Sequence, residues 1–250
     1  MEIFSELALE TAETAGAGLK IDKEVLSPSV TRLCFVAPSA VFEGKGRGRS
    51  NYHTLITKGD PLEDDALMEE LSKGVAASLL ALLKGRKKRV LAVGLGNPSA
   101  VVDALGAEVV KRLSAGEKGK KYLATMVPSV FGVTGMETAR VVKGVASEFN
   151  PDLILTVDTL ATRRAERLFR AVQITDGGVV PGGGVGNRRE PICAETFGIP
   201  VLSVGVPLLA RADKCASLPE GLVVTPKEID LLVPRFAISL ARGVEEALFE

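Results

Sequence analysis

Arg89-Val90-Leu91-Ala92-Val93-Gly94-Leu95-Gly96-Asn97-Pro98 is a short apolar run closed by a glycine turn. Its continuous Val, Leu and Ala content is that of a strand buried on both faces, which is how parallel strands read. Apolar residues at helical spacing follow from Val101 to Leu113, and the alternation then recurs. Tyr122 to Val127 reads as a second strand and Met136 to Phe149 as a second helix. Pro151 to Val157 reads as a third strand, ending at Asp158. Ala171 to Thr175 reads as an edge strand before a glycine-rich loop, and Ile199 to Val204 as another buried strand. Pro226 stands at a favourable first-turn position for a long amphipathic C-terminal helix. Strands alternating with helices predict an α/β chain: a three-layer α/β/α fold, with a mostly parallel sheet and right-handed crossovers.

Before Arg89 the pattern changes. Val30 to Val36 and Tyr52 to Thr57 read as two strands joined by the basic loop Glu43-Gly44-Lys45-Gly46-Arg47-Gly48-Arg49. A helix from about Glu63 to Leu83 leads into the repeating part. No linker rich in Pro or Ser separates the halves. The expectation is one domain over 1–250, in which 1–88 extends the sheet and 89–250 forms the repeating core.

Composition narrows the function classes. Thirty-one basic residues cancel 31 acidic ones, so there is no global field to attract nucleic acid. A 46% hydrophobic content and a mean hydropathy of +0.23 exclude a largely disordered chain. With no Trp, the core must be built from Val, Leu, Ile and Ala. Cys34, Cys193 and Cys215 lie far apart with no CxxC, which predicts buried thiols in a reducing compartment. The start, MEIFSELALE, is acidic where a signal peptide is basic, and the apolar stretch Val75 to Leu83 is too short to span a bilayer. A cytoplasmic protein without a membrane partner is expected.

In an open parallel sheet, sites form beyond the carboxyl ends of the strands. Asp103 follows the first repeating strand and Asp158 ends the third, two units later. Neighbouring strand ends would bring the two carboxyls together, one as base toward water and the other as acid toward a leaving amine. Taken singly, each reads equally as an ordinary helix-start or capping residue. Gly94-Leu95-Gly96-Asn97 invites a dinucleotide reading, but Ser99 occupies the third glycine position, so a tight turn is the better account. Between Gly177 and Arg189 lie six glycines, which suit either a surface loop or close approach of a peptide backbone. Gly132 to Thr138 reads as a helix start with Thr134 or Gly135 near the cap. His53, the single histidine, reads as a structural strand residue, which leaves no conventional zinc site. Arg163, Arg164 and Arg167 form either a solvated helix face or an anchor for a carboxylate. Neither GxSxG nor a P-loop is present.

Several of these segments, taken together and in order, resemble the germination protease family of endospore-forming bacteria. They are Val93-Gly94-Leu95-Gly96-Asn97, Asp103-Ala104-Leu105-Gly106 and Gly132-Val133-Thr134-Gly135-Met136-Glu137-Thr138. Next come Val157-Asp158-Thr159-Leu160-Ala161-Thr162-Arg163, Pro181-Gly182-Gly183-Gly184-Val185-Gly186-Asn187-Arg188 and Glu195-Thr196-Phe197-Gly198-Ile199-Pro200-Val201. Gly205-Val206-Pro207 and Thr225-Pro226-Lys227-Glu228-Ile229-Asp230 continue the match, with weaker echoes at Glu6-Leu7-Ala8-Leu9-Glu10 and Tyr52-His53-Thr54-Leu55.

The resemblance implies a phosphorylase/hydrogenase-maturation-endopeptidase-like fold and an atypical aspartic endopeptidase that degrades small acid-soluble spore proteins. It also implies a homotetramer, a zymogen activated by loss of a propeptide, and a place in the spore or forespore interior. The family's two essential aspartates fall on Asp103 and Asp158. Asp103, near a helix N-terminus, reads as the base and Asp158 as the proton donor, with the reverse left open. Gly96, Asn97, Gly135, Glu137, Thr138, Arg163, Gly182, Gly184, Gly186 and Asn187 are the expected cleft residues. No cofactor is expected, although related hydrogenase endopeptidases place acidic metal ligands at equivalent positions, so a divalent cation at Asp103 and Asp158 is an alternative. A proteolytically inactive peptide-binding relative is another. The chain also departs from the family: it is shorter than typical members, Met1 leaves little room for a propeptide, and Ala100-Val101-Val102 replaces the polar and proline residues expected before Asp103.

Overall fold

The computed structural model describes residues 6–14, 19–37, 49–83, 85, 89–118, 121–183, 189–211 and 222–249. Its strands are β1 (Asp22–Val25), β2 (Val30–Ala37), β3 (Ser50–Thr57), β4 (Arg89–Gly94) and β5 (Gly116–Lys118). After them come β6 (Lys121–Met126), β7 (Leu153–Thr162), β8 (Ala171–Thr175), β9 (Val201–Arg211) and β10 (Val223–Val224). The helices are α1 (Ala8–Thr14), α2 (Asp65–Leu82), α3 (Leu105–Val110), α4 (Phe131–Thr134), α5 (Thr138–Phe149), α6 (Ala194–Phe197) and α7 (Ile229–Phe249).

The strands form one sheet in the order β1-β2-β3-β8-β9-β7-β4-β6-β5, with β10 on β9. Layering is α/β/α. The pairings β4–β6, β4–β7 and β7–β9 are parallel, whereas β1–β2, β2–β3, β3–β8, β8–β9, β5–β6 and β9–β10 are antiparallel. The expected parallel pairing is thus confined to the four central strands of a mixed sheet. The reason is connectivity. β8 returns through a short 3-10 turn instead of a crossover helix, so it must run antiparallel. β8 is also not an edge strand: β3 pairs with it on the side away from β9.

One face of the sheet packs Val90, Ala92, Leu153, Leu155, Val157, Leu202 and Val204 against α2, α3 and α7. In α7, Leu232, Val233, Phe236, Ala237, Leu240 and Val244 recur at helical spacing, and this face carries the main core. The opposite face packs Leu91, Val93, Ile154 and Val201 against Ala139, Val142 and Ala146 of α5. Farther along, α1 covers Phe35, Tyr52, Leu160 and Ala171. The chain moves from β4 to β6 through α3 on one face, then back across to β7 through α5 on the other. Sequence direction therefore reverses between β4 and β7, which is the switch point where such sheets open a crevice.

Several boundaries differ from the sequence reading. Val101 to Leu113 splits into a 3-10 turn at Val101–Asp103 and the six-residue α3. α7 starts at Ile229, three residues after Pro226, and carries Pro234 inside it. β7 runs on to Thr162, so Asp158 lies within the strand and does not end it. The basic loop at 43–48 and Cys215 lie outside the described residues. Cys193 is buried but Cys34 is partly exposed. No helix among the described residues is long and apolar enough to cross a membrane.

Candidate active site

β4 ends at Gly94, opposite Val157, while β7 continues along β9 alone. Asp158 is thus the first residue of β7 past its shorter neighbour, on the face that carries α1 and α5. The loop after β4 folds back tightly over this point. Gly96 has φ +96°, and a Cβ there would run into the carbonyl oxygen of Asp103. Gly106 lies as close to the backbone: a Cβ on it would meet the carbonyl of Val157 and the amide of Leu95. Only glycine permits either approach, and together they seat Asp103 against β7.

Asp103 closes the loop by accepting a hydrogen bond from the Asn97 amide at Oδ2, 2.8 Å. Burial raises its proton affinity, and the Asn97 N–H offsets only part of that. A helix N-terminus was expected to favour its charge. The 3-10 turn and short α3 instead leave burial as the dominant influence. Asp158 is 7% exposed, and its Oδ1 accepts from the Thr159 amide at 2.8 Å. Its pKa is pushed well above the usual carboxylate range, first by burial, then by the charge of Glu6, then by that of Asp103. The two aspartates therefore share one electrostatic neighbourhood, with Asp158 holding its proton more firmly.

Glu6 was not singled out. Its amide donates to Ala161 O at 3.0 Å, and its Oε2 accepts from Ala161 N at 2.8 Å. Gln173 fastens the same segment, donating from Nε2 to Glu6 O at 3.2 Å and accepting from Ala8 N at 2.7 Å. Glu10 accepts from the Thr162 hydroxyl and, at 2.8 Å, from the Arg163 amide. In sequence the signal was the alternation Glu6-Leu7-Ala8-Leu9-Glu10, whose two leucines are fully buried.

Several residues singled out in the sequence make contacts away from the two aspartates. Arg164 and Arg167 pair with Glu13 at 3.3 and 2.9 Å, so of the two readings of the arginine run these two residues follow the carboxylate anchor, with Glu13 of the N-terminal segment as its partner. Glu137, in place of Thr134 or Gly135, stands at the position before α5 without a side-chain capping bond, and it pairs with Arg189 at 3.0 Å. Thr138 donates to Ser129 O at 3.4 Å. Among the described residues, these contacts do not run to Asp103 or Asp158. Gly182 is described, with φ +68°, whereas Gly184, Gly186 and Asn187 lie outside the described residues. Among the described residues of the glycine loop, Gly178 and Val179 line a small cavity together with Asp158. His53 lies in β3, with burial lowering its pKa. A cavity of about 400 Å³, lined by Leu82, Leu153, Asp176, Glu195, Ile199 and Val201, opens at the other end of the strands, away from both aspartates.

A divalent cation requires ionised ligands. Both aspartates are biased toward their protonated forms, and no three His, Cys, Asp or Glu side chains among the described residues gather as a metal site. Among the described residues the donor set is therefore two carboxyls, short of the three or more protein ligands of a typical metal centre.

The germination protease family model matches residues 10–217. A germination protease of Caldanaerobacter subterraneus is 35% identical over 81% of this chain and 79% of that protein. Those of Clostridium perfringens and Bacillus cereus are 39% and 32% identical over 72% and 82% of this chain, which spans only 59% and 57% of their length. A [NiFe] hydrogenase maturation protease, HycI of Thermococcus kodakarensis, is 21% identical and superposes with a TM-score of 0.40 over 67% of this chain and 99% of that one.

Proposed function

From the fact that the chain belongs to the germination protease family, we propose that it is an endopeptidase in which Asp103 and Asp158 activate water. The observation that carries this reading is the placement of Asp103, by the glycine-tight loop after β4, beside the point where β7 presents Asp158, and burial raises the proton affinity of Asp158 the more. Asp103, less strongly shifted, serves as base and takes a proton from water as it attacks the scissile carbonyl. Asp158 enters protonated and gives its proton to the departing amine. Asp103 ends protonated and Asp158 ionised, and one proton passed between them restores the starting state. By family likeness the substrates are small acid-soluble spore proteins, inside the spore. A homotetramer formed from a processed zymogen belongs to the same reading.

Asp103→Asn and Asp158→Asn, each with its fold verified by circular dichroism, should lower cleavage of an acidic spore protein by at least about 100-fold. A chelator should leave the wild-type rate unchanged. Activity retained in either variant removes that aspartate from the mechanism. The near-complete burial of Asp158 favours one rival, a relative that binds peptide without cleaving it. Wild-type protein that binds but never cleaves, at any pH, establishes that rival.

A further inference from the structure

On the face carrying α1 and α5, two rows of polar side chains interrupt the apolar lining of the sheet. Thr54, Gln173, Gly205 and Asp158 stand opposite one another across β3, β8, β9 and β7. Two residues along, Tyr52, Thr175, Ser203 and Thr156 do the same. Thr54, Gln173, Asp158, Thr175, Ser203 and Thr156 are all buried. Burying such groups costs free energy unless each finds a partner.

Part of their bonding capacity is met internally. Thr156 donates to Ser203 Oγ at 2.7 Å, and Thr175 Oγ1 accepts from Gly177 N at 3.0 Å. The Gln173 amide holds Ala8 N and Glu6 O. This arrangement leaves the hydroxyl hydrogens of Ser203 and Thr175, the second amide hydrogen of Gln173 and the Asp158 carboxyl. The residues that carry them line a cavity of about 30 Å³, with Leu160 and Val179 among its walls. That volume suits one water, and a polar surround with several partners is what holds one.

We propose that this cavity holds a single ordered water, through which Ser203, Thr175 and Gln173 act as positioning residues on the Asp158 carboxyl. The inference rests on the peptidase reading only for its effect on rate. The charges acting on Asp158 are Glu6, from the N-terminal segment, and Asp103, from the loop after β4, and both oppose its ionisation. The groups facing it from β8 and β9 are neutral. A water that donates to the carboxylate solvates the charged form, so displacing it makes Asp158 give up its proton at higher pH.

Ser203→Thr keeps the hydroxyl and adds a methyl group that competes for the cavity, while Ser203→Ala removes one partner and leaves the room. A crystal structure of the wild-type chain that resolves ordered solvent should hold density for one water in this cavity, lost in Ser203→Thr. Carbon-13 NMR titration of the Asp158 carboxyl, assigned by its loss in Asp158→Asn, should move up by on the order of one pH unit in Ser203→Thr and by less in Ser203→Ala. The limb of the pH–rate profile set by Asp158 should move with it. A wild-type cavity without water density, or a midpoint unchanged in both variants, overturns the inference. If Ser203→Thr fails to fold, the alanine variant decides. Should the chain cleave no peptide at all, the peptidase reading falls, while density and titration still decide this one.

Discussion

Burial, and after it the negative charges of Glu6 and Asp103, raise the proton affinity of Asp158. That has a consequence for stability. Its folded pKa lies above the unfolded one, so its contribution is full below the ordinary carboxylate pKa and is lost as pH rises through the raised value. The loss is about 1.4 kcal/mol for every pH unit between the two. Asp158→Asn, which cannot ionise, should therefore flatten the fall in stability above the ordinary carboxylate pKa, as read from urea denaturation at several pH values. Glu6 offers a separate test. Glu6→Gln keeps an acceptor for Ala161 N but removes the charge, so Asp158 should release its proton at lower pH and the alkaline limb of activity should shift down. Asp103 and Asp158 could be picked out from the sequence because each follows an apolar run that reads as a strand. Gln173, Thr175 and Ser203 could not, since a polar residue in a strand signals nothing until its cross-strand neighbours are known.

The loop after β4 depends on glycine for its shape. At Gly96 a positive φ and a collision with Asp103 O act together, so Gly96→Ala should cost on the order of 1–3 kcal/mol or more and displace Asp103. Gly144, inside α5 with open space around it, is the contrasting case. Gly144→Ala should stabilise by roughly 0.5–1 kcal/mol, because glycine is a poor interior helix residue. Denaturant titration of the two variants checks both signs. Element types were legible wherever apolar period and length agreed, as in β4, α5 and α7. Lengths were harder to read. β7 and β9 outrun their apolar cores because they pair with each other beyond the point where β4 stops, through Thr159, Leu160 and Thr162. No local pattern marks a strand that continues on the strength of its neighbour.

Across the whole chain, β3 closes one side of β8, and α2 packs against both the sheet and α7. A fragment of 89–250 would expose the β8 edge together with the faces that carry Val172, Ile174 and Phe236. Expressed alone, it should aggregate or lack a cooperative thermal transition, whereas the full chain should show one. A soluble, cooperatively unfolding fragment would mean that the first 88 residues are an appendage. The burial of Leu7 and Leu9, and the hydrogen bonds of Glu6 to Ala161 in β7, tie the start of the described chain to the strands that carry Asp158 and Gln173.

Local chemistry was enough to identify the α/β alternation, the buried strands, the glycine turn after β4 and the two aspartates worth pairing, because apolar period and turn residues are properties of neighbours along the chain. The antiparallel flanks, the interior position of β8, the tethering role of Arg164 and Arg167, and the approach of Glu6 to Asp158 are contacts between residues more than a hundred positions apart or between strands without adjacent sequence. They depend on which edges meet once the core has packed, and burial, which fixes how firmly Asp158 holds its proton, exists only after that packing.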